Sequence, residues 1–238
     1  MTELDRVLSE LVVANRILAR EGVVDAFGHV SARHPERPDR YIMARSRAPE
    51  LVTAEDLMVF ELDGTPVDPR GRTPYAERPI HSGLYEARSD VQSVIHNHSY
   101  AVIPFSVTRA QLRPMIHVAA PMGASVPVWD IRDKFGDGEM LVVTQEQGRD
   151  LARTLGQGSV ALMRGHGCAV ASSSIKLAVM TAVYTQVNAR LQMEALRLGE
   201  PKYLSASEIE TMARRQQTPL ASERAWEYWR ERAGASDL

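Results

Sequence analysis

"SVIHNHSY" (residues 93–100) closes an apolar run with two histidines, His96 and His98, that are separated by a single residue. In a β-strand, residues i and i+2 point to the same face of the sheet. A strand over this stretch therefore directs both imidazoles toward one point. Buried imidazoles need polar partners, and a shared divalent metal ion satisfies two at once. Two exposed strand residues would produce the same pattern, so the metal interpretation requires a further ligand.

A third histidine follows another apolar run. In "MRGHGCAV" (163–170), the apolar residues 160–163 lead to His166, which lies between Gly165 and Gly167. Flanking glycines allow the backbone and a ligand to approach closely. Three neutral imidazoles leave a fourth position open, as catalytic zinc sites do. Glu77, in "YAERPIH", is a candidate exchangeable ligand or general base near such a metal, although a carboxylate at a helix start is also stabilised by the helix dipole.

The composition excludes several functional classes. The chain has 238 residues, 44% of them hydrophobic, and a net charge of −2 with no basic stripe, which argues against nucleic-acid binding. No apolar run has the length of a membrane span, and the first twenty residues do not resemble a signal peptide. The single cysteine, Cys168, excludes an intrachain disulfide. These features predict a cytoplasmic protein that binds neither nucleic acid nor a membrane.

Apolar periodicity and turn residues predict alternating helices and strands along the whole chain. Strands are expected at 27–35, 40–47, 58–68 (a hairpin turning at Asp63-Gly64), 90–99, 140–144 and 159–172 (a pair around a glycine turn). Helices are expected at 4–21, 54–57 (capped by Thr53), 79–89, 100–108 (broken at Pro104), 146–156, 174–198, 205–217 and 222–232. This order favours one α/β domain over 1–238, with helices 205–232 packed on it or on a neighbouring subunit.

The combination of Glu77, His96, His98 and the glycine-flanked His166 resembles the class II aldolase/adducin family. The segments "FGHVSAR" near residue 28 and "ERPIHSGLYEARSDVQSVIHNHS" (77–99) extend the resemblance over roughly residues 5–200. The resemblance implies a three-layer αβα fold around a central, mainly antiparallel sheet. It also implies a homotetramer with active sites near the subunit interfaces.

The resemblance further implies an enzyme, a metal-dependent carboxy-lyase or aldehyde-lyase. One divalent metal ion, zinc, manganese, iron or cobalt, would be held by His96, His98 and His166. Glu77 would act as the acid/base group and as a ligand when substrate is absent. Family members include aldolases for phosphorylated ketoses, epimerases and aromatic decarboxylases, whereas adducins keep the fold without catalysis, so the fold alone does not define the reaction.

The chain departs from the sugar-phosphate aldolases at the positions that grip phosphate. Tyr75-Ala76 stands where that group has small hydroxyl residues, His29 replaces a loop asparagine, and Ser46-Arg47 replaces a Thr-Gly or Ser-Gly pair. The planar guanidinium of Arg47 suits a carboxylate, although a solvated loop residue is an equal alternative. The predicted substrate-binding residues are His29, Ser31, Ser46 and Arg47.

One further histidine occupies a position of catalytic interest. In fuculose-phosphate-type aldolases a tyrosine about 19 residues after the His-x-His pair donates a proton from a neighbouring subunit. Here that position is His117, in "RPMIHVAA". An imidazole can donate a proton or bind a carboxylate near neutral pH, but a buried structural histidine is an equal alternative.

These departures resemble the aromatic hydroxy-dicarboxylate decarboxylase branch of the family. The predicted reaction is decarboxylation of a hydroxylated aromatic or pyridine dicarboxylate, a small-molecule substrate, through a metal-stabilised enolate. Glu77 or His117 would then return a proton to carbon. The alternatives are a sugar or sugar-phosphate aldolase or epimerase, a non-haem iron oxygenase, and an adducin-like module without catalysis.

Overall fold

The computed structural model describes residues 1–238, and its centre is a seven-stranded sheet. The strands are β1 His29–Arg33, β2 Arg40–Ala44, β3 Leu57–Glu61, β4 Ser93–Asn97, β5 Val128–Trp129, β6 Val160–Met163 and β7 Gly167–Ser172. They lie in the order β3-β2-β1-β4-β7-β6-β5, and every pair is antiparallel except β5 with β6. The predicted αβα fold with a mainly antiparallel sheet is confirmed.

Helices cover both faces of the sheet. They are α1 Glu3–Arg20, α2 Pro79–Ala87, α3 Ile103–Ser106, α4 Arg132–Phe135, α5 Gln145–Leu155, α6 Ile175–Leu198, α7 Ala206–Gln216 and α8 Pro219–Arg232. Short 3-10 turns lie at Pro49–Leu51, Ala54–Asp56 and His117–Met122, and Thr53 caps the second of them as predicted. No helix has both the length and the apolar character that crossing a membrane requires.

The strands alternate between two separate cores. Along β2, Tyr41 and Met43 enter the core beneath α2 and α5, whereas Ile42 and Ala44 enter the larger core beneath α1 and α6. This alternation is the expected consequence of the two-residue period of a strand buried on both faces. The larger core also contains Trp226 and Trp229 of α8. The C-terminal helices therefore pack on their own chain, and the single-domain organisation of 1–238 stays a prediction.

A close helix crossing fixes the position of residue 77. At Gly148 of α5, an added Cβ would lie 2.0 Å from the carbonyl oxygen of Pro79, the first residue of α2. Only a glycine allows the two helix backbones to approach this closely. Because α2 begins two residues after Glu77, the crossing holds the Glu77 backbone beside the end of the sheet.

Several elements differ from the sequence predictions. The segment 140–144 is not a strand, because side chains satisfy its backbone N–H groups: Val142 N donates to Glu77 Oε1 at 2.9 Å, and Val143 N and Thr144 N donate to Gln147 Oε1. The short strand β5 at Val128–Trp129 takes the edge position and was not predicted. Pro104 lies in the first turn of α3, which begins at Ile103, and does not break it, since proline is tolerated in the first turn of a helix.

Candidate metal centre and active site

Three separate elements bring the predicted ligands together. His96 lies on β4, His98 follows the end of that strand, and His166 lies in the turn between β6 and β7. β4 and β7 are antiparallel neighbours in which His96 pairs with Ala169, so the turn carrying His166 returns to the end of β4. Ligand atoms of the three histidines and of Glu77 all lie within 4.8 Å of one another.

The imidazoles converge through their Nε2 atoms. His98 Nε2 lies 3.0 Å from His96 Nε2 and 3.1 Å from His166 Nε2. His96 Nδ1 lies 3.1 Å from the carbonyl oxygen of Cys168. Because a carbonyl only accepts, Nδ1 carries the hydrogen and His96 Nε2 presents a lone pair to the cluster. Tetrahedral coordination at ordinary zinc–nitrogen distances separates ligand nitrogens by about 3.3 Å, so the three nitrogens fit one divalent ion.

Burial lowers the pKa of two of the predicted histidine ligands. Burial lowers the pKa of His96 well below its ordinary value, even though the Glu77 carboxylate opposes that effect. Burial also lowers the pKa of His98. A metal ion binds imidazole only in its deprotonated form. These two side chains therefore present lone pairs at neutral pH, as the predicted divalent-metal site requires.

The segment 140–144, which was expected to be a strand, orients the Glu77 side chain. Its Oε1 accepts a hydrogen bond from Val142 N at 2.9 Å, and its Oε2 lies 3.6 Å from His96 Nε2 and 3.5 Å from His166 Nε2. Burial raises the pKa of Glu77, but the two imidazoles and the Val142 N–H outweigh it and hold the pKa at about 2. The carboxylate is thus ionised at neutral pH and can serve as an exchangeable ligand or a base.

The glycine after His166 is required by close strand packing. An added Cβ at Gly167 would lie 2.0 Å from the carbonyl oxygen of Asn97 and 3.1 Å from the Cα of His98. Such distances leave no room for any side chain. The glycine pattern that predicted a close approach therefore reflects the contact of β7 with the end of β4, which sets the spacing of His98 and His166.

The predicted ligands open onto a cavity of about 380 Å³. Its walls are formed by Ala26, Phe27, Gly28, His29, Ser46, Arg47, Ala48, Tyr75, Ala76, Glu77, His98 and Leu141. The volume lies at the small end of ligand pockets and suits one substituted ring. Of the predicted substrate-binding residues, His29, Ser46 and Arg47 line this cavity.

Arg47 is anchored at one nitrogen and free at the others. Its Nη1 donates to both carboxylate oxygens of Asp56 at 3.1 Å, and Arg45 Nε donates to the same carboxylate at 2.7 Å. The hydroxyl of Tyr75 donates to the backbone carbonyl of Arg47. The Arg47 side chain remains about one-third exposed at 34%. The residue is therefore held in place with the rest of its guanidinium available to the cavity.

Two predicted residues do not line the cavity. Ser31 is fully buried, with its Oγ 2.6 Å from His81 Nδ1 and 2.8 Å from the Tyr85 hydroxyl. His117 is exposed, and its backbone carbonyl accepts a hydrogen bond from Gln216 Nε2 of α7. The catalytic role of His117 stays a prediction. Sequence reasoning missed His81 and Tyr85, whose four-residue spacing on a helix was the available signal.

Comparison with known proteins defines the family. The family described as "Class II Aldolase and Adducin N-terminal domain" matches residues 9–193. The chain belongs to this family. The solved structure of an aldolase II superfamily protein from Pseudomonas syringae superposes with a TM-score of 0.80 and 23% identity, covering 99% of this chain and 96% of that one. The family prediction is confirmed, and so is the prediction of a metal-dependent lyase.

Three curated relatives represent two kinds of lyase. The chain is 37% identical over 196 residues to decarboxylase tropJ from Talaromyces stipitatus, which covers 77% of this chain and 74% of that protein. It is 26% identical over 204 residues to 3,4-dihydroxyphthalate decarboxylase from Arthrobacter keyseri (79% and 78%). It is 28% identical over 185 residues to L-fuculose phosphate aldolase from Escherichia coli (76% and 80%).

Proposed function

We propose that the protein is a metal-dependent decarboxylase of a hydroxylated aromatic or pyridine dicarboxylate. The observation that carries the proposal is a site of three histidines and one glutamate that opens onto a ring-sized cavity walled by Arg47. Two of the relatives bear decarboxylase names, one of them for an aromatic dicarboxylate. A bound divalent ion would act as a Lewis acid that stabilises negative charge developing on the substrate.

The chain's own residues account for substrate orientation and proton transfer. The free guanidinium nitrogens of Arg47 would bind the carboxylate that is retained. The Glu77 carboxylate would accept the proton of the ring hydroxyl as substrate binds. When the carbon–carbon bond breaks and carbon dioxide leaves, Glu77 would return that proton to the ring carbon, so the proton balance is closed. His117 of a neighbouring subunit is the other proposed donor for this step.

A sugar-phosphate aldolase is the second candidate, which the relationship to L-fuculose phosphate aldolase favours. Two features of the cavity favour decarboxylation instead. The Tyr75 hydroxyl, at a position where a small hydroxyl residue would bind phosphate, is already engaged by the backbone carbonyl of Arg47. The adjacent Ala76 lines the cavity without offering any hydroxyl.

We further propose that the protein is a cytoplasmic homotetramer. Apolar side chains close to the site are exposed on the isolated chain, including Phe27 (65%), Tyr100 (75%) and Val107 (55%). A cluster of this kind beside a cavity is typical of a surface covered by another subunit. The single cysteine, Cys168, is buried and free, which is compatible with a reducing compartment.

The reaction is tested by measuring carbon dioxide release from a panel of hydroxylated aromatic and pyridine dicarboxylates. Metal-loaded and chelator-treated protein are compared, and cleavage of a ketose phosphate is assayed alongside. The proposal expects metal-dependent carbon dioxide release that persists without oxygen, which separates it from an iron oxygenase. Ketose-phosphate cleavage without carbon dioxide release would support the aldolase instead.

The role of Arg47 is tested separately by Arg47→Ala. Losing a charge-assisted pair to a substrate carboxylate should raise KM by roughly 10-fold to 100-fold, with a smaller effect on kcat. The matched control is Arg37→Ala, since Arg37 is an exposed arginine paired with Asp39 away from the cavity. An unchanged KM in Arg47→Ala would show that Arg47 does not bind the substrate carboxylate.

A further inference from the structure

A buried row of polar side chains runs from the cavity wall into the protein interior. His29 and Ser31 lie two residues apart on β1 and share a face, whereas His81 and Tyr85 lie four residues apart on α2 and share a face. The strand and the helix turn these two faces toward each other. All four residues are at most 4% exposed, although they are all polar.

These side chains form one continuous chain of hydrogen bonds. His29 Nδ1 lies 2.6 Å from His81 Nε2, His81 Nδ1 lies 2.6 Å from Ser31 Oγ, and Ser31 Oγ lies 2.8 Å from the Tyr85 hydroxyl. Tyr85 has no other side-chain hydrogen-bond partner, so the chain ends there. At the other end, His29 lines the cavity beside the ring of Tyr75, and its Nε2 is not bonded to any protein atom.

The direction of the hydrogen bonds follows from counting hydrogens. Burial lowers the pKa of His81 to about 3, so His81 is neutral and carries one N–H. Burial raises the pKa of the Tyr85 hydroxyl, which therefore keeps its hydrogen. That hydrogen has only Ser31 Oγ to bond, and the Ser31 hydroxyl then donates to His81 Nδ1. His81 must consequently donate from Nε2 to His29 Nδ1.

The opposite direction would leave a buried donor without a partner. If His29 donated to His81, and His81 to Ser31, the Ser31 hydroxyl would donate to Tyr85, and the Tyr85 hydrogen would point at nothing. An unsatisfied buried donor is costly enough to favour one direction over the other by roughly 5-fold to 150-fold.

We infer that Ser31 and His81 hold His29 in the tautomer whose Nε2–H points into the cavity, where it donates a hydrogen bond to an anionic substrate oxygen. The identity of that acceptor, a carboxylate or ring oxygen, rests on the proposed function, whereas the tautomer does not. His29 is thereby excluded as a fourth imidazole ligand of the metal, because its cavity-facing nitrogen has no free lone pair. Ser31 and His81 are positioning residues.

The tautomer is measured directly by long-range proton–nitrogen correlation NMR on zinc-loaded, full-length protein labelled with ¹⁵N-histidine. No substrate is added, so the result does not depend on which reaction the enzyme catalyses. The inference expects hydrogen on Nε2 of both His29 and His81. Hydrogen on Nδ1 of His29 would overturn it.

Two substitutions, each of which removes one hydroxyl from the buried row, distinguish control of the His29 tautomer from a role in packing alone. Ser31→Ala removes the donor to His81, so the inference expects mixed tautomers at His29. Tyr85→Phe leaves the Ser31 hydroxyl free to donate to His81, so the wild-type tautomer is expected to persist. A Ser31→Ala spectrum that keeps the single wild-type tautomer, or a Tyr85→Phe spectrum that changes as much as that of Ser31→Ala, would overturn the inference.

Activity provides an independent readout once a substrate is known. Ser31→Ala should lower kcat/KM by about tenfold through a raised KM, because part of the population presents no donor to the substrate. Tyr41→Phe is the control, since Tyr41 is a buried phenol of the same layer whose hydroxyl bonds Ser82 and not the row. Equal losses in the two variants would contradict the inference, while absence of decarboxylation in wild-type protein would contradict only the proposed function.

Discussion

Gly167→Ala should damage the metal site while leaving most of the fold intact. The new methyl carbon would lie 2.0 Å from the Asn97 carbonyl oxygen, whereas ordinary contacts begin near 3.4 Å, so β7 and the end of β4 must separate by about 1.4 Å. Metal–ligand distances tolerate deviations of only about 0.2 Å. The separation moves His98 directly, and it moves His166 because that residue is bonded to residue 167. The distance between the His98 and His166 imidazoles therefore no longer fits one metal ion.

The expected cost has two parts that different assays separate. Overpacking of this kind costs roughly 1–3 kcal/mol in the free energy of unfolding, measured by urea denaturation of chelator-treated protein. Zinc affinity should fall by about 100-fold, measured by competition with a chromophoric chelator. Gly138→Ala is the matched control, because a Cβ there meets nothing within 4 Å. A folded Gly167→Ala protein that binds zinc as tightly as wild type would refute the reasoning.

Three other perturbations have defined outcomes. Glu77→Gln can still accept from Val142 N, so it should fold and bind zinc but lose at least about 100-fold in kcat, and retained activity would contradict its acid/base role. Burial raises the pKa of Asp56, but bonds from Thr53, Arg45 and Arg47 hold it at about 2, below its usual 3.8. The stability that Asp56 contributes is therefore present above pH 3.8 and lost as pH falls through 2, and urea denaturation of Asp56→Asn should show a weaker loss over that window. Chelator should lower Tm in wild type, since zinc at 100 times its Kd adds about 2.7 kcal/mol, and an equal shift in His98→Ala would argue against this site.

The cluster of His96, His98 and His166 was predictable because the geometry of its parts is local. The i, i+2 spacing of His96 and His98 needs only a strand, and the glycines around His166 need only a turn between two strands. Their convergence then follows from the pairing of β4 with β7, which is consistent with the family resemblance.

The segment 140–144 was mispredicted because its sequence pattern is compatible with two ways of satisfying the backbone N–H groups. An apolar, β-branched run is typical of a strand, whose backbone N–H groups are satisfied by a neighbouring strand. Here Glu77 and Gln147 satisfy them instead, and both side chains are supplied by distant or following residues. Only the folded structure shows that the Glu77 carboxylate, which faces His96 and His166, is also the hydrogen-bond partner of this backbone.

The buried row behind His29 could not be predicted for a related reason. Ser31 was expected to contact substrate because it lies in the segment "FGHVSAR", which carries part of the family resemblance. Successive residues of β1 point to opposite faces of the sheet. Whether Ser31 faces the cavity or the interior therefore depends on how β1 lies against α2. The sequence of β1 alone does not contain that information, since it requires the packing of His81 and Tyr85 against the strand.

The central claim is that Glu77, His96, His98 and His166 hold one metal ion that is required for decarboxylation. It is tested most directly by titrating chelator-treated protein with zinc, manganese, iron or cobalt. Carbon dioxide release is recorded from a hydroxy-aromatic dicarboxylate that the enzyme is known to decarboxylate. The account predicts no release without metal, and activity that saturates at one equivalent per chain in wild type but is absent in His98→Ala. Full activity of the metal-free protein, or restoration of His98→Ala to the wild-type rate at one equivalent, would contradict the account.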